Sequence, residues 1–106
     1  MNNKFLNFLG LAKRAGKLIE GYNKCQDSLG KRSIHLFVFS NTLSERSYKI
    51  FSEYCIKENI PFIKEFTKED LGSAVGRLEI NIVGVTDKNI ANKLLTNYEE
   101  IKNNKI

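Results

Sequence analysis

Residues 34–39, Ile34-His35-Leu36-Phe37-Val38-Phe39, form an almost continuous apolar run that is rich in aromatic and branched side chains. Such a run predicts a β-strand whose two faces are both covered by other parts of the protein. A strand of this kind belongs to a sheet that lies between two layers of helices.

The chain after this run alternates between strands and helices. Two further strands are predicted, for residues 62–66 and 80–85, and a helix is predicted after each of the three strands. Each helix follows a segment in which side-chain oxygens can accept hydrogen bonds from free backbone N–H groups. These segments are Thr42-Leu43-Ser44-Glu45, Thr67-Lys68-Glu69-Asp70 and Thr86-Asp87. The order of elements predicts helices on both faces of the sheet.

The first third of the chain adds two helices and a short strand. Apolar residues at helical spacing predict a helix over about residues 5–15, and an extended apolar pair, Leu18–Ile19, follows it. Gly21 opens the second helix. The apolar stripe of that helix, which we expect to be buried, consists of Tyr22, Cys25 and Leu29.

Length and composition agree with one folded domain. The chain has 106 residues, of which 42% are hydrophobic and 27% are charged. We expect a single three-layer α/β/α domain over residues 1–106, with a polar tail that frays after about Glu99. No segment is long and apolar enough for a membrane span or a secretory signal, so a cytoplasmic protein without a membrane partner is expected.

The two cysteines, Cys25 and Cys55, both fall on apolar stripes. They form no C-x-x-C motif, and the chain has a single histidine, so neither a disulfide framework nor a metal site is indicated. We expect two buried thiols, no metal and no cofactor.

Positive charge is concentrated near the start of the chain. The first 33 residues contain seven Lys and Arg against two Asp and Glu, a net charge of +5, whereas residues 34–106 contain ten of each sign. Such asymmetry favours a polyanionic partner, above all a nucleic acid. A basic surface that serves only solubility is the alternative.

The sequence gives little support to an enzyme. The only histidine, His35, lies inside the apolar run, where a packed or edge residue is the ordinary interpretation. No nucleophile-elbow or glycine-rich phosphate-binding motif is present. We therefore predict no catalytic residue and no small-molecule substrate.

The start of the second helix is the best candidate binding site. A helix N-terminus offers free N–H groups and a partial positive charge, which suit a phosphate. Arg14 and Lys17 precede it, Gly21 lets a ligand approach the backbone closely, and Asn23 and Lys24 can contact a base and a phosphate. Many helix starts share these features and bind only water.

Four segments of the chain together resemble a known protein family. They are FLGLAKRAGKLIEGYNKCQDSL, IHLFVFSN, ENIPFIKEFTKEDLGSAVGR and NIVGVTD. Over about residues 4–95 the chain resembles the kink-turn RNA-binding family of ribosomal proteins, the ribosomal protein L-seven-Ae type, and especially its small bacterial YlxQ-like branch. The resemblance implies an α/β/α sandwich around a mixed sheet of about four strands, no catalysis, and binding of structured RNA.

The family's contact motif is Gly-x-Asn-Glu-x-x-Lys at the start of the second helix. Gly21 and Asn23 match it, whereas Lys24 stands in place of the Glu and Asp27 in place of the Lys. In the family the Glu accepts hydrogen bonds from guanine edges, and a lysine has no acceptor. The resemblance implies a second contact in the loop after LGSAVG, where Arg77 and Leu78 would face a phosphate or an unstacked base.

The sequence thus predicts a non-catalytic RNA-binding protein of the bacterial translation or ribosome-assembly apparatus. Its RNA is structured, with kink-turn and ribosomal RNA as candidates, and Arg14, Lys17, Lys24 and Lys31 are expected to neutralise phosphates. The exchanged charges at positions 24 and 27 motivate the alternative, a protein-interaction module on the same fold that no longer binds RNA. A monomer is favoured, although the sequence leaves the oligomeric state open.

Overall fold

The computed structural model describes residues 3–103, which contain five helices and four strands. The elements are α1 (Lys4–Arg14), β1 (Leu18–Glu20), α2 (Tyr22–Ser28), β2 (Leu36–Ser40), α3 (Glu45–Glu58), β3 (Phe62–Phe66), α4 (Lys68–Ala74), β4 (Ile82–Val85) and α5 (Lys88–Asn103). None of the helices in this part of the chain is long and apolar enough to cross a membrane.

The four strands form one mixed sheet in the order β1-β4-β2-β3. β2 and β3 are parallel, with Val38 opposite Ile63, whereas β4 is antiparallel to both of its neighbours. Phe39 pairs with Ile82, so the carboxyl end of β2 lies beside the amino end of β4. The mixed four-stranded sheet agrees with the expectation from the family resemblance.

The central strand β2 contributes to a separate hydrophobic core on each face of the sheet. Leu36 and Val38 pack with side chains of α1, α4 and α5, and Phe37 and Phe39 pack with side chains from the α2 and α3 side. Every residue of β2 is buried, which explains its continuous apolar run. The predicted three-layer α/β/α sandwich is therefore confirmed.

Both cysteines lie in the core on the α2 and α3 side, as expected. They are free thiols, and burial raises the pKa of each to about 12. Cys25 also donates a weak hydrogen bond from its sulfur to the backbone carbonyl of Ile19, over 3.5 Å. In residues 3–103 no three potential metal ligands lie together.

The boundaries of α3 follow local hydrogen-bonding groups, and the residue that caps its start differs from the predicted one. α3 begins at Glu45, and Ser44 rather than Thr42 caps it, because the Ser44 hydroxyl accepts from the backbone N–H of Ser47 over 3.2 Å. The Thr42 hydroxyl lies 3.3 Å from that of Ser40 instead. At its other end the helix stops at Asn59, whose positive φ of 57° is typical of a left-handed cap.

Two other boundaries differ from the predictions. β4 contains residues 82–85 only, because the preceding backbone continues the loop from α4: the Ile80 N–H donates to the carbonyl of Lys68. α5 is helical to Asn103, beyond the point at Glu99 where fraying was expected. Buried Leu94 and partly buried Tyr98 and Ile101 pack on the core and hold these last turns against the domain.

Glycines are required at two close approaches of the backbone. One lies between helices α1 and α4, and the other lies between α4 and the loop that follows it. A β-carbon on Gly10 would lie 2.9 Å from the carbonyl oxygen of Ala74. A β-carbon on Gly72 would lie 2.5 Å from the Cα of Glu79. Gly72 therefore lets the loop from Gly76 to Glu79 fold back directly onto α4.

Candidate nucleic-acid interface

The start of α2 depends on the backbone conformation of Gly21. This residue has a φ of +93°, a backbone conformation in which any residue with a side chain would be strained. The strain is conformational only, because no atom lies within 4 Å of the position that its β-carbon would take. Its N–H donates to the carbonyl of Ile82 over 2.9 Å. The start of α2 is thereby fixed at the amino end of β4, which is also the carboxyl end of β2.

A cleft of about 420 Å³ runs along α2 on the side of β1 and the α4–β4 loop. We call it the α2 cleft. It is lined by Lys13, Leu18, Ile19, Glu20, Lys24, Asp27, Ser28, Arg32 and Arg77. Four of these residues are cationic and two are acidic, so the lining carries a net positive charge of two.

Glu20 organises the charges at one end of this cleft. Its carboxylate accepts from Nε of Arg77 over 2.7 Å and from Nζ of Lys13, and its side chain is only 9% exposed. Burial favours the neutral acid, but the hydrogen bonds and charges of the two cations outweigh it and keep the pKa of Glu20 below its usual value. Lys13 and Arg77 are therefore both paired within the protein, where the single negative charge of Glu20 offsets one of their two positive charges.

Lys24 and Arg32 are the cations of the cleft that remain available. Within residues 3–103 neither forms an ion pair, and both are exposed. Asp27 lines the same cleft and is also exposed without an ion pair in that range. An anionic ligand would meet unpaired cations along α2 and a cation already paired with Glu20 at Arg77.

The structure brings three of the predicted site residues together in the α2 cleft: Lys24, Asp27 and Arg77. Other predicted residues lie next to them in the chain. Gly21 and Asn23 are at the start of α2, Leu78 follows Arg77 with its side chain 94% exposed, and Lys17 precedes β1. The carbonyl of Lys17 accepts from the N–H and the hydroxyl of Thr86, which holds the turn before β1.

Arg14, Lys17 and Lys31, three of the cations that were expected to neutralise phosphates, do not line the α2 cleft. Arg14 lines a different cavity, between α1 and α4, together with Asp70. Successive residues of an α-helix point about 100° apart, so Lys13 faces Glu20 and Arg14 does not. Lys31 follows the turn at Gly30, whose φ is +77°, and lines another cleft.

Tyr22 departs from its predicted burial. Its side chain is 36% exposed, and its ring contacts the edge of Phe51 at a centroid distance of 5.5 Å. Tyr22 therefore lies at the edge of the hydrophobic core, and part of its own ring is exposed to solvent beside Asn23.

Sequence reasoning missed Lys13, Glu20 and Arg32 as residues of the cleft. A signal for Glu20 exists, because it is the only acid in the segment from Lys13 to Lys24. Its bond to Arg77 spans 57 positions, however, and only the folded chain shows it.

Comparison with known proteins identifies the family of this chain. Residues 3–95 match the model of the Ribosomal protein L7Ae/L30e/S12e/Gadd45 family. The chain belongs to this family. Among its relatives in the family is RNA-binding protein YlxQ of Bacillus subtilis (strain 168), which is 28% identical over 88 residues, or 83% of this chain and 88% of the relative.

Solved structures show the L7Ae-type fold as well. A protein of unknown function from Bacillus halodurans superposes with a TM-score of 0.85 and 27% identity, covering 92% of this chain and 99% of the other. The Giardia lamblia 15.5kD RNA binding protein superposes with a TM-score of 0.76 over 95% of this chain and 92% of the other. At 13% identity, the latter shows a shared fold alone.

Proposed function

We propose that this protein binds structured RNA without catalysis, through the α2 cleft and the adjoining α4–β4 loop. The observation that carries the proposal is the meeting of two chain segments, Lys24 and Asp27 on α2 and Arg77 on the loop, in one cleft of net positive charge. Family membership and the RNA-binding relative from Bacillus subtilis support it. A cytoplasmic role in translation or ribosome assembly fits the family of ribosomal proteins.

Lys24 defines how the RNA is contacted in this proposal. A lysine donates and never accepts, so at position 24 it binds a phosphate or a base acceptor and does not accept from guanine edges. The protein then reads mainly the shape and the phosphates of folded RNA. A standard kink-turn is bound more weakly than it would be with Glu at this position.

Filter binding in a salt series tests the electrostatic mechanism. The probe is a pool of structured fragments from limited nuclease digestion of bacterial ribosomal RNA. Neutralising about two to four phosphates predicts that log K falls with log salt at a slope of roughly −2 to −4. A flat response would remove the proposed mechanism.

Lys24→Glu tests the role of the cleft itself. We expect about tenfold weaker binding to the fragment pool, which corresponds to a lost charged contact of about 1.4 kcal/mol. Lys49→Glu is the matched control, because Lys49 is an exposed lysine of α3 outside the cleft. Unchanged binding of Lys24→Glu to the fragment pool would contradict the phosphate role of Lys24, whereas stronger binding of this variant to a kink-turn RNA would agree with the proposal.

The protein-interaction alternative has a separate test. The pairing of Lys13 and Arg77 with Glu20 favours it, because two cations of the cleft are already engaged within the protein. Pull-downs from lysate with and without nuclease distinguish the two functions. Recovery of the same protein partner after nuclease treatment would support the alternative, and loss of all recovered material would support RNA binding.

A further inference from the structure

A second charged cleft lies at the other end of α2, and the proposed function does not use it. Its volume is about 570 Å³, and it is bounded by the loop after α2, the end of α3 and the start of α5. We call it the His35 cleft after the residue that precedes β2. The His35 N–H donates to the carbonyl of Val85 over 2.8 Å, so the cleft lies at the amino end of β2, opposite the start of α2.

The cleft is positively charged. Lys31, Arg32 and Lys88 line it against a single acid, Glu58. Within residues 3–103 none of these three cations forms an ion pair. Their charges are available to a ligand, whereas two of the cations in the α2 cleft are already paired with Glu20.

The composition of the lining favours an anion rather than a protein surface. In the described part of the chain the large apolar side chains that are exposed are Leu11, Tyr22, Ile50, Ile56 and Leu78, and none of them lines this cleft. Protein partners are usually held by aromatic or aliphatic anchors at the centre of the contact. Unpaired Lys and Arg around the hollow suit phosphate groups.

Arg32 connects the two clefts, because it lines both of them. The α2 cleft runs along α2, a helix of seven residues that is about 10 Å long, and meets the His35 cleft at Arg32. An extended polyanion that enters the α2 cleft at Lys24 can pass Arg32 and reach Lys31 and Lys88. A small anion would occupy one cleft without the other.

We propose that the His35 cleft binds the phosphate backbone of a second segment of the same RNA that occupies the α2 cleft. This inference rests on the proposed RNA-binding function. Arg32 belongs to both clefts and makes them one continuous binding surface, which we call the track. Lys31 and Lys88 bind the phosphates of the second RNA segment. The wall of the cleft is fixed, since the Gly30 N–H donates to the Tyr54 hydroxyl over 2.9 Å.

Photocrosslinking to the ribosomal RNA fragment pool tests the track, because His35 and Tyr54 line one cleft and Tyr22 lies at the start of α2. Ultraviolet irradiation followed by mass spectrometry of tryptic peptides identifies which aromatic residues carry nucleotide adducts. We expect adducts on peptides of both regions. Adducts on the Tyr22 peptide alone would overturn the second segment and leave RNA binding intact, whereas adducts on neither would remove RNA binding itself.

The double variant Lys31→Glu/Lys88→Glu tests the charges. We expect it to reduce the magnitude of the salt slope by about 1.4 to 1.8, for two lost phosphate contacts, and to abolish the adducts on His35 and Tyr54 while those on Tyr22 remain. The matched control is Lys49→Glu/Lys93→Glu, two exposed lysines outside both clefts. Equal slopes for the two double variants would overturn the proposal. An acidic protein from nuclease-treated lysate that binds wild type and not Lys31→Glu/Lys88→Glu would also overturn it.

Discussion

The α2 cleft and the His35 cleft meet at Arg32, and they hold their cations differently. In the α2 cleft the buried carboxylate of Glu20 pairs with Lys13 and Arg77. In the His35 cleft Lys31, Arg32 and Lys88 have no ion-pair partner among residues 3–103. The number of cations in a surface is therefore a poor measure of the charge that a ligand meets.

The difference also separates two roles of charge. Lys13 and Arg77 join α1, β1 and the α4–β4 loop through Glu20, so they contribute to the shape of the α2 cleft. Lys31 and Lys88 lie on exposed segments and hold no other element in place through an ion pair in the described chain. Substitution of Glu20 should thus change stability as well as binding, whereas substitution of Lys31 and Lys88 should change binding alone.

Gly72→Ala should have the largest effect, because it disrupts the wall of the α2 cleft that carries Arg77. The new β-carbon would lie 2.5 Å from the Cα of Glu79, a backbone atom that cannot move aside cheaply. We expect a loss of about 3 kcal/mol in the free energy of unfolding, measured by urea denaturation. Ser73→Ala, at the exposed neighbouring position, should change it by less than about 0.5 kcal/mol. Similar stability for the two variants would contradict the close approach.

Glu20→Gln should lower stability and raise RNA affinity together. The substitution removes a charged acceptor, which we expect to reduce the free energy of unfolding by about 1–3 kcal/mol, and it frees Lys13 and Arg77 for phosphates. Urea denaturation and filter binding measure the two effects. Glu100→Gln is the control, because its pair with Lys4 is exposed and 3.8 Å long. Weaker RNA binding by Glu20→Gln would show that the pairing of the two cations is needed for recognition.

The lowered pKa of Glu20 also leads us to expect a pH dependence of stability. Because the pKa of Glu20 is lower in the folded protein, its contribution is present above the ordinary value of 4.5 and is lost as the pH falls through the folded value. Wild type should therefore lose more stability than Glu20→Gln on acidification below about pH 4.5. Parallel curves of unfolding free energy against pH for the two proteins would contradict this expectation.

Tyr54→Phe should cause a smaller loss of stability, because it removes one hydrogen bond at the His35 cleft. The phenol oxygen accepts from the Gly30 N–H over 2.9 Å, and its removal should reduce the free energy of unfolding by about 1 kcal/mol. Tyr48→Phe is a suitable control, because the Tyr48 ring packs between Phe39 and Phe62 and the substitution keeps that ring. Thermal denaturation compares the two variants, and equal midpoints would indicate that the Gly30 bond contributes nothing.

Leu78→Ser should leave stability almost unchanged, within about 0.5 kcal/mol, since the side chain is 94% exposed. We expect weaker binding to the RNA fragment pool, because an apolar side chain at this loop can pack on an unstacked base. Ile56→Ser is the matched control, at a position of α3 that is 69% exposed and outside both clefts. Equal affinity for the two variants would exclude Leu78 from the interface.

The sequence predicted the fold more completely than the site. The β2 run and the cap at Thr67 act through neighbouring residues, so the elements they define could be predicted locally. The partition of cations depends instead on side-chain direction and on contacts between distant segments. Arg14 differs from Lys13 by one helical position, and Glu20 meets Arg77 only because the α4–β4 loop folds onto β1.

The loop that carries Arg77 and Leu78 has a consequence for the rate of binding. Its backbone is held at both ends, by the Arg77 N–H on the carbonyl of Gly72 over 2.9 Å and by the Ile80 N–H on that of Lys68 over 3.0 Å. Little conformational entropy remains to be lost when a ligand arrives. Association should then be governed by diffusional encounter, and discrimination among RNAs should appear mainly in how long each one stays bound.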